Sequence, residues 1–222
     1  MSNQNLIEAE KIALDLFYTI EKMDLIIPGK TEKELSDEIF ELAKLKFGIH
    51  KYWHKRIVRS GINTLVPYSE NPPNLTIQED DILFIDFGPI LEQWEADLGR
   101  TYVIGTNPIK IKIKEDVEII WYKAKNWFDN QENVTGTEFW LFIYNLIKIE
   151  YEYELGSDIA GHQIGIFPHE NIASDNINSY IHLKNNNFLK NKKKKEENEW
   201  ILEIHIIHPV LQIGAFFEQL LT

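Results

Sequence analysis

Acidic residues set inside otherwise apolar, strand-like runs constrain this chain more than any other feature of it. In the stretch Asp80 to Gly105, DDILFIDFGPILEQWEADLGRTYVIG, residues Ile82, Leu83, Phe84, Ile85 and Phe87 form a short apolar run. Gly88 and Pro89 close it, which predicts a buried strand with Asp86 inside it. A carboxylate in such a place is strongly disfavoured unless it is paired, hydrogen-bonded or bound to a cation. Asp97 follows eleven positions later and heads a second strand-like run, Leu98 to Ile104, so a β-hairpin would bring the two acids together. Two adjacent carboxylates repel, and a divalent cation relieves the repulsion. A salt bridge from Asp97 to Arg100, or a turn-capping Asp97, is the alternative these residues leave open.

The same problem recurs twice near the C-terminus. In WILEIHIIH, alternation puts Glu203 and His205 on one strand face, opposite Leu202, Ile204 and Ile206, and in IGAFFEQLL Glu218 stands among apolar neighbours. Four independent salt bridges would need four buried cations, and the strand neighbourhoods offer chiefly Arg59 and Arg100. One shared metal centre satisfies all four acids more economically. A histidine is available to it: in AGHQIGIFPHE, Gly161 and Gly165 flank His162, with His169 seven residues on, and small neighbours let the backbone approach a crowded centre.

The remaining sequence supplies a scaffold of alternating helices and strands. Leu6 to Met23 has helical apolar spacing, and a second helix opens at a capping box formed by Thr31 and Glu34 and runs to about Phe47, before Gly48. His50, Trp53 and His54 precede a predicted strand, Arg56 to Ser60, and a histidine beside a tryptophan reads first as a packed or solvent-edge residue. The proline-rich segment Val66 to Thr76 belongs on a rim. Two more helices are predicted over Ile113 to Trp127 and Thr137 to about Glu150, the latter capped by Thr135 or Thr137, with their dense aromatics forming core. Strand-like runs return at Ser179 to Leu183, Trp200 to His208 and Ile213 to Leu221. Between the first two, residues 184–199 are Lys- and Asn-rich and read as an exposed, mobile hairpin insertion, since an isolated basic tract is ordinarily solvated.

Composition narrows the function classes. A chain of 222 residues that is 44% hydrophobic and 12% aromatic can bury a substantial core, and it reads as a single domain spanning residues 1–222, with halves 1–105 and 106–222. A net charge of −12 opposes nucleic acid and anionic membranes and suits cations or peptides. The absence of cysteine excludes disulfides, thiolate metal sites and a cysteine nucleophile. With neither a signal-like N-terminus nor a bilayer-length apolar stretch, a soluble cytoplasmic protein, monomeric or homodimeric, is expected.

The combination of Asp86-x-Gly88, Asp97-x-x-Arg100-Thr101, Gly161-His162-x-Ile164-Gly165 with His169, and the strand acids Glu203 and Glu218 resembles the pita-bread metallopeptidases. That family includes methionine aminopeptidases, aminopeptidase P and prolidase, and the resemblance covers roughly residues 50 to 222. It implies an α/β (α+β) pita-bread fold, with a curved, mainly antiparallel sheet covered by helices and two pseudo-symmetric halves. By the same resemblance Asp86 chelates one of two metal ions, Asp97 and Glu218 bridge both, and His162 with Glu203 completes the second. Such an oxygen-rich set favours Mn²⁺, Co²⁺ or Fe²⁺ and admits Zn²⁺. The implied activity is that of an exopeptidase, an aminopeptidase or Xaa-Pro-type dipeptidase. It would hydrolyse a peptide bond near a free N-terminus through a hydroxide shared by the two ions, with Glu203 taking the proton and His169 hydrogen-bonding the substrate.

Several positions depart from the family pattern. Pro67 stands where the Xaa-Pro enzymes carry a histidine before the tyrosine, here Tyr68, and Ser60 stands where methionine aminopeptidases carry another; His54 and His205 are candidates to replace them. Phe216 occupies the place of an arginine that often precedes the last glutamate in the Xaa-Pro enzymes, and their separate N-terminal domain is missing, so a stand-alone catalytic domain is expected. A non-catalytic peptide-binding or interaction module on the same fold is the rival reading. The DFG of Asp86 to Gly88 lacks the Gly-rich loop and HRD segment of a kinase. Ala173 likewise rules out an HExxH site beginning at His169.

Overall fold

The computed structural model describes residues 2–167, 176–193 and 198–222. His169 lies outside the described residues, as do residues 194–197 of the Lys- and Asn-rich stretch. Helix α1 (Ser2–Lys22) buries Ala9, Ala13, Leu16, Phe17 and Ile20, whose spacing is that of one helix face, and turns Ile7 and Leu14 outward, with Met23 exposed just past its end. Helix α2 (Glu32–Phe47) begins at the predicted capping box: the Glu34 N–H donates to the Thr31 hydroxyl, and the Thr31 N–H donates to the Glu34 carboxylate. Helix α3 (Pro108–Asp129) starts five residues earlier than the apolar spacing predicts. Asn107 accepts from the N–H groups of Ile109 and Lys110, and Pro108 takes the first helical position, where no N–H is needed. Helix α4 (Gly136–Asn145) is capped by Thr135, again with a reciprocal bond from Glu138, and passes into a π-helical turn at Leu146–Glu150.

The large sheet contains β1 (Ile57–Ser60), β2 (Asp81–Phe87), β3 (Leu98–Ile104), β4 (Ile159–Ile164), β5 (Tyr180–His182), β6 (Glu199–Ile207) and β7 (Gly214–Leu220). Their order is β5-β4-β6-β7-β3-β2-β1, every pair is antiparallel, and the short strand Glu154–Leu155 adds to β6. The acidic pair Asp86 and Asp97 is not joined by a simple hairpin. Strands Pro89–Leu91 and Trp94–Glu95 pair with each other and fold out between β2 and β3, and Lys51–Tyr52 adds to Pro89–Leu91 to complete a small separate sheet. Strand β4, which carries His162, has no alternating apolar pattern in its sequence. Its pairing with β5 and β6, rather than local propensity, makes it extended.

Alternation then decides which face does what. Leu83, Ile85 and Phe87 of β2 pack into the core under α1 and α2, while Leu202, Ile204 and Ile206 of β6 and Ala215 and Phe217 of β7 pack under α3 and α4. Trp121 anchors the second core, fully buried, with its indole N–H donating to the Leu202 carbonyl at 2.8 Å. The residues of opposite parity, Phe84, Asp86, Glu203, His205, Phe216 and Glu218, line a cavity on the other face. The described part of the Lys- and Asn-rich stretch is mostly exposed, as expected, with two exceptions. Asn185 and Leu189 are buried, and Phe188–Asn191 pairs with Asn133–Thr135 just before α4. Composition marks this stretch as solvated, but backbone pairing and one leucine in the core hold its described part in place. Among the described residues no helix is long and apolar enough to cross a membrane.

Candidate metal centre

Strand register assembles the acids. Glu218 pairs with Gly99 on one side and with Glu203 on the other, and Gly99 pairs in turn with Asp86. Directly opposed residues project to the same face of a sheet. Asp86, Glu218 and Glu203 therefore form a row interrupted only by Gly99, where a Cβ would lie 2.4 Å from the Phe216 ring and 3.0 Å from the Glu218 Cβ. Asp97, two residues before Gly99, joins them in a cavity of about 350 Å³. His162 enters from β4, with its Nε2 3.1 Å from Asp97 Oδ2 and 3.8 Å from Glu218 Oε1. Asp97, His162 and Glu218 each offer a donor atom within 4.8 Å of the others, and Glu203 lines the same cavity outside that cluster.

A second cluster was not foreseen. His54, Asp86 and Asp97 also converge within 4.8 Å, because His54 points its Nε2 at Asp97 Oδ1, 3.1 Å away, and at Asp86 Oδ1, 3.5 Å away. His54 is packed against Trp53, one of the two readings its sequence offered, but it is not at a solvent edge: its side chain is only 4% exposed and faces the acids. The sequence offered one cue, a histidine next to a tryptophan just ahead of the strand that pairs with the Asp86 strand. The salt bridge from Asp97 to Arg100 is not formed. Arg100 donates to the carbonyls of Gly99 and Glu218 and to the side chain of Gln219, and Arg59 donates to the carbonyls of Val66 and Glu70. Histidines, not arginines, face the buried acids. His205, the other candidate substitute, shares the cavity but holds the Thr64 carbonyl through Nε2 at 2.8 Å. Ser60 binds the buried Glu32 carboxylate through its N–H at 2.6 Å and its hydroxyl at 3.1 Å, which ties the end of β1 to α2.

The electrostatics follow from burial and crowding. Burial pushes Asp86 and Glu203 up to about 7, against the opposing pull of His54 and His162 respectively. Burial, reinforced by the charges of Asp97 and Asp86, raises Glu218 well above the usual carboxylate range. Burial also works to raise Asp97, but His54 and His162 outweigh it and hold that carboxyl down at about 2. For His54, burial disfavours the charged ring, yet Asp97 and Asp86 carry it to about 9; burial opposes the charged ring of His162 too, but hydrogen bonds to Asp97 and Glu218 raise it well above its ordinary value. Such a cluster demands positive charge. Asp86 Oδ1 and Glu218 Oε2 are buried without a hydrogen bond among the described residues, so the donor set fits divalent cations.

The sequence profile of Metallopeptidase family M24 matches residues 4–221. The Xaa-Pro dipeptidase of Pyrococcus horikoshii is 29% identical over 147 residues, covering 65% of this chain and 40% of that protein. Among solved structures, the X-Pro aminopeptidase from Thermotoga maritima superposes with a TM-score of 0.76 at 22% identity, over 100% of this chain and 60% of its own. The Xaa-Pro dipeptidase from Bacillus anthracis gives a TM-score of 0.74 at 25% identity, over 98% of this chain and 56% of its own. The chain thus spans well under two thirds of the length of each of these relatives. An antiparallel sheet under two helix pairs is the pita-bread fold that it shares with those structures. Because the profile match runs through all four helices and every strand of the large sheet, the chain belongs to metallopeptidase family M24.

Proposed function

We propose that the protein is a peptidase dependent on two divalent ions, cleaving a peptide bond near a free N-terminus in the manner of an aminopeptidase or Xaa-Pro-type dipeptidase. The observation that carries this reading is the row Asp86, Glu218 and Glu203, with Asp97 and His162 added, on one face of the sheet around two buried carboxylate oxygens that make no hydrogen bond among the described residues. Asp86 and Asp97 would hold one ion, His162 and Glu203 the other, and Asp97 and Glu218 both. The mainly oxygen donor set suits Mn²⁺, Fe²⁺ or Co²⁺. When bound, divalent ions there supply Lewis acidity, lowering the pKa of water and polarising a carbonyl.

The chain's own groups do the rest. Glu203 stands at the cavity wall, where its carboxylate takes the proton of the attacking water and returns it to the leaving amine. His169, by family resemblance, hydrogen-bonds the substrate. Ile57, Phe84 and Phe216 cluster into an apolar wall beside the acids, which orients an apolar substrate side chain and excludes water. The test is cleavage of a peptide panel of Met-x, Xaa-Pro and plain dipeptide substrates, with Mn²⁺ or Co²⁺ and His162→Ala as control. Cleavage by the wild type that is lost in the variant supports the reading. Metal binding with no peptide cut would replace it with a peptide-binding module.

A further inference from the structure

His54 and His162 stand in the same relation to Asp97, one at each carboxylate oxygen. Each has its Nε2 3.1 Å from Asp97, His54 at Oδ1 and His162 at Oδ2. Each also has its Nδ1 on the carbonyl of the next residue, Lys55 at 2.7 Å and Gln163 at 2.8 Å. A carbonyl accepts only, so Nδ1 carries a hydrogen in both rings and Nε2 is left to the acids, donating a proton to them in the metal-free cluster and free to offer its lone pair to a cation in place of that proton. A divalent ion placed between Nε2 and those oxygens would take the place of that proton. A backbone hydrogen bond that fixes Nδ1–H and frees Nε2 is the arrangement metal-ligating histidines use.

The position of His54 is built rather than incidental. Trp53 lies against both rings, with centroids 4.5 Å from His54 and 5.2 Å from His162, and its indole N–H is held by the Ala96 carbonyl at 3.1 Å. Gly88 leaves the room that this packing needs, since a Cβ there would come within 2.2 Å of Trp53 Nε1 and 2.3 Å of the His54 ring. The spacings also suit coordination. Donors roughly 2.1 Å from a common cation stand roughly 3.0–3.4 Å apart at octahedral or tetrahedral angles, and His54 Nε2 stands 3.1 and 3.5 Å from the Asp97 and Asp86 oxygens.

We propose that His54 is a sixth protein ligand of the metal centre, completing the ion held by Asp86 and Asp97 as His162 completes its partner. The inference rests on the metallopeptidase reading above and gives each ion one imidazole. An added nitrogen on the first ion moves its preference toward the later divalent metals, Co²⁺ and Zn²⁺ over Mn²⁺.

The experiment counts imidazoles and measures metal affinity, without recourse to turnover. X-ray absorption of the Co²⁺-loaded full chain reports two histidines per chain in the wild type and one in His54→Phe. Calorimetric Mn²⁺ titration then shows one binding event weakened by roughly 10-fold or more in His54→Phe. A wild-type count of one histidine, or an unchanged titration in the variant, overturns the role of His54 while leaving the metallopeptidase reading intact. If wild type binds no metal at all, the underlying reading fails and the inference with it. Should His54→Phe not fold, the wild-type histidine count alone decides.

Discussion

Gly161→Ala tests the link between backbone geometry and the metal centre, because Gly161 directly precedes His162 in β4 and pairs that strand closely with β6. Its φ of +143° is one that side-chain-bearing residues rarely adopt, and a Cβ there would lie 2.1 Å from the Ile201 carbonyl oxygen and 2.8 Å from the Ile181 Cδ1. Ordinary contact to that oxygen begins more than an ångström farther out, so the strand itself must move. Backbone strain of this kind costs about 1–3 kcal/mol, and overpacking a filled site adds about 1–3 kcal/mol. The expected destabilisation is therefore about 2–6 kcal/mol, a large share of the roughly 5–15 kcal/mol that holds a typical domain together. Displacing β4 also draws His162 Nε2 away from Asp97 Oδ2, so metal affinity falls along with stability. Gly165→Ala is the internal control: it flanks His162 on the other side, yet a Cβ there meets nothing within 4 Å. Urea unfolding and Mn²⁺ calorimetry on both variants provide the measurement. If Gly161→Ala unfolds at the wild-type midpoint and binds Mn²⁺ as wild type does, the claim that this backbone positions His162 is refuted.

Three further outcomes are expected. Burial lowers His205 from 6.5 to about 4, so the neutral ring stabilises the fold fully above pH 6.5 and that contribution is lost as pH falls through about 4. The displacement corresponds to about 3 kcal/mol. Metal-free His205→Gln should accordingly lose less stability than metal-free wild type between those pH values in denaturant titrations, and parallel curves would contradict this. Thr135→Ala removes the hydroxyl that accepts the Glu138 N–H at 3.2 Å and should lower the unfolding free energy by about 1 kcal/mol, read from the denaturation midpoint. Glu203→Gln should reduce peptide turnover by roughly 10²–10⁴-fold with the circular dichroism spectrum unchanged; activity within a few-fold of wild type would remove Glu203 from the proton-transfer role.

Local signals account for what could be read in advance. Both capping boxes are short-range, a threonine and a glutamate three residues apart, and α2 and α4 begin where those pairs stand. Period-two alternation placed Glu203 opposite Leu202 and Ile204, and those two pack in the core while Glu203 lines the cavity. Where reading failed, the deciding contact was remote in sequence. His54 reaches Asp97 across 43 residues, and its place beside Trp53 ahead of β1 does not by itself say which acids it approaches. The Lys- and Asn-rich segment is mostly exposed along its described part, in line with its composition, whereas the burial of Asn185 and Leu189 and the pairing of Phe188–Asn191 with Asn133–Thr135, roughly fifty residues away, are not encoded by composition. Strand β4 escaped notice because its extended form is imposed by its neighbours.

The order and type of the acids, the helix starts and the inward face of each strand are properties of residues close together along the chain, set by side-chain period and by capping chemistry. Which acids become neighbours is a matter of strand register, and register belongs to the assembled sheet. The row from Asp86 through Gly99 and Glu218 to Glu203 exists only because β2, β3, β7 and β6 align at those positions. A shift of one residue would turn the acids into the helix-packed core. The two histidines that flank Asp97 are likewise a tertiary fact. Crowding several negative charges out of water is tolerable only where positive charge can be brought among them, and the fold brings it from two distant segments.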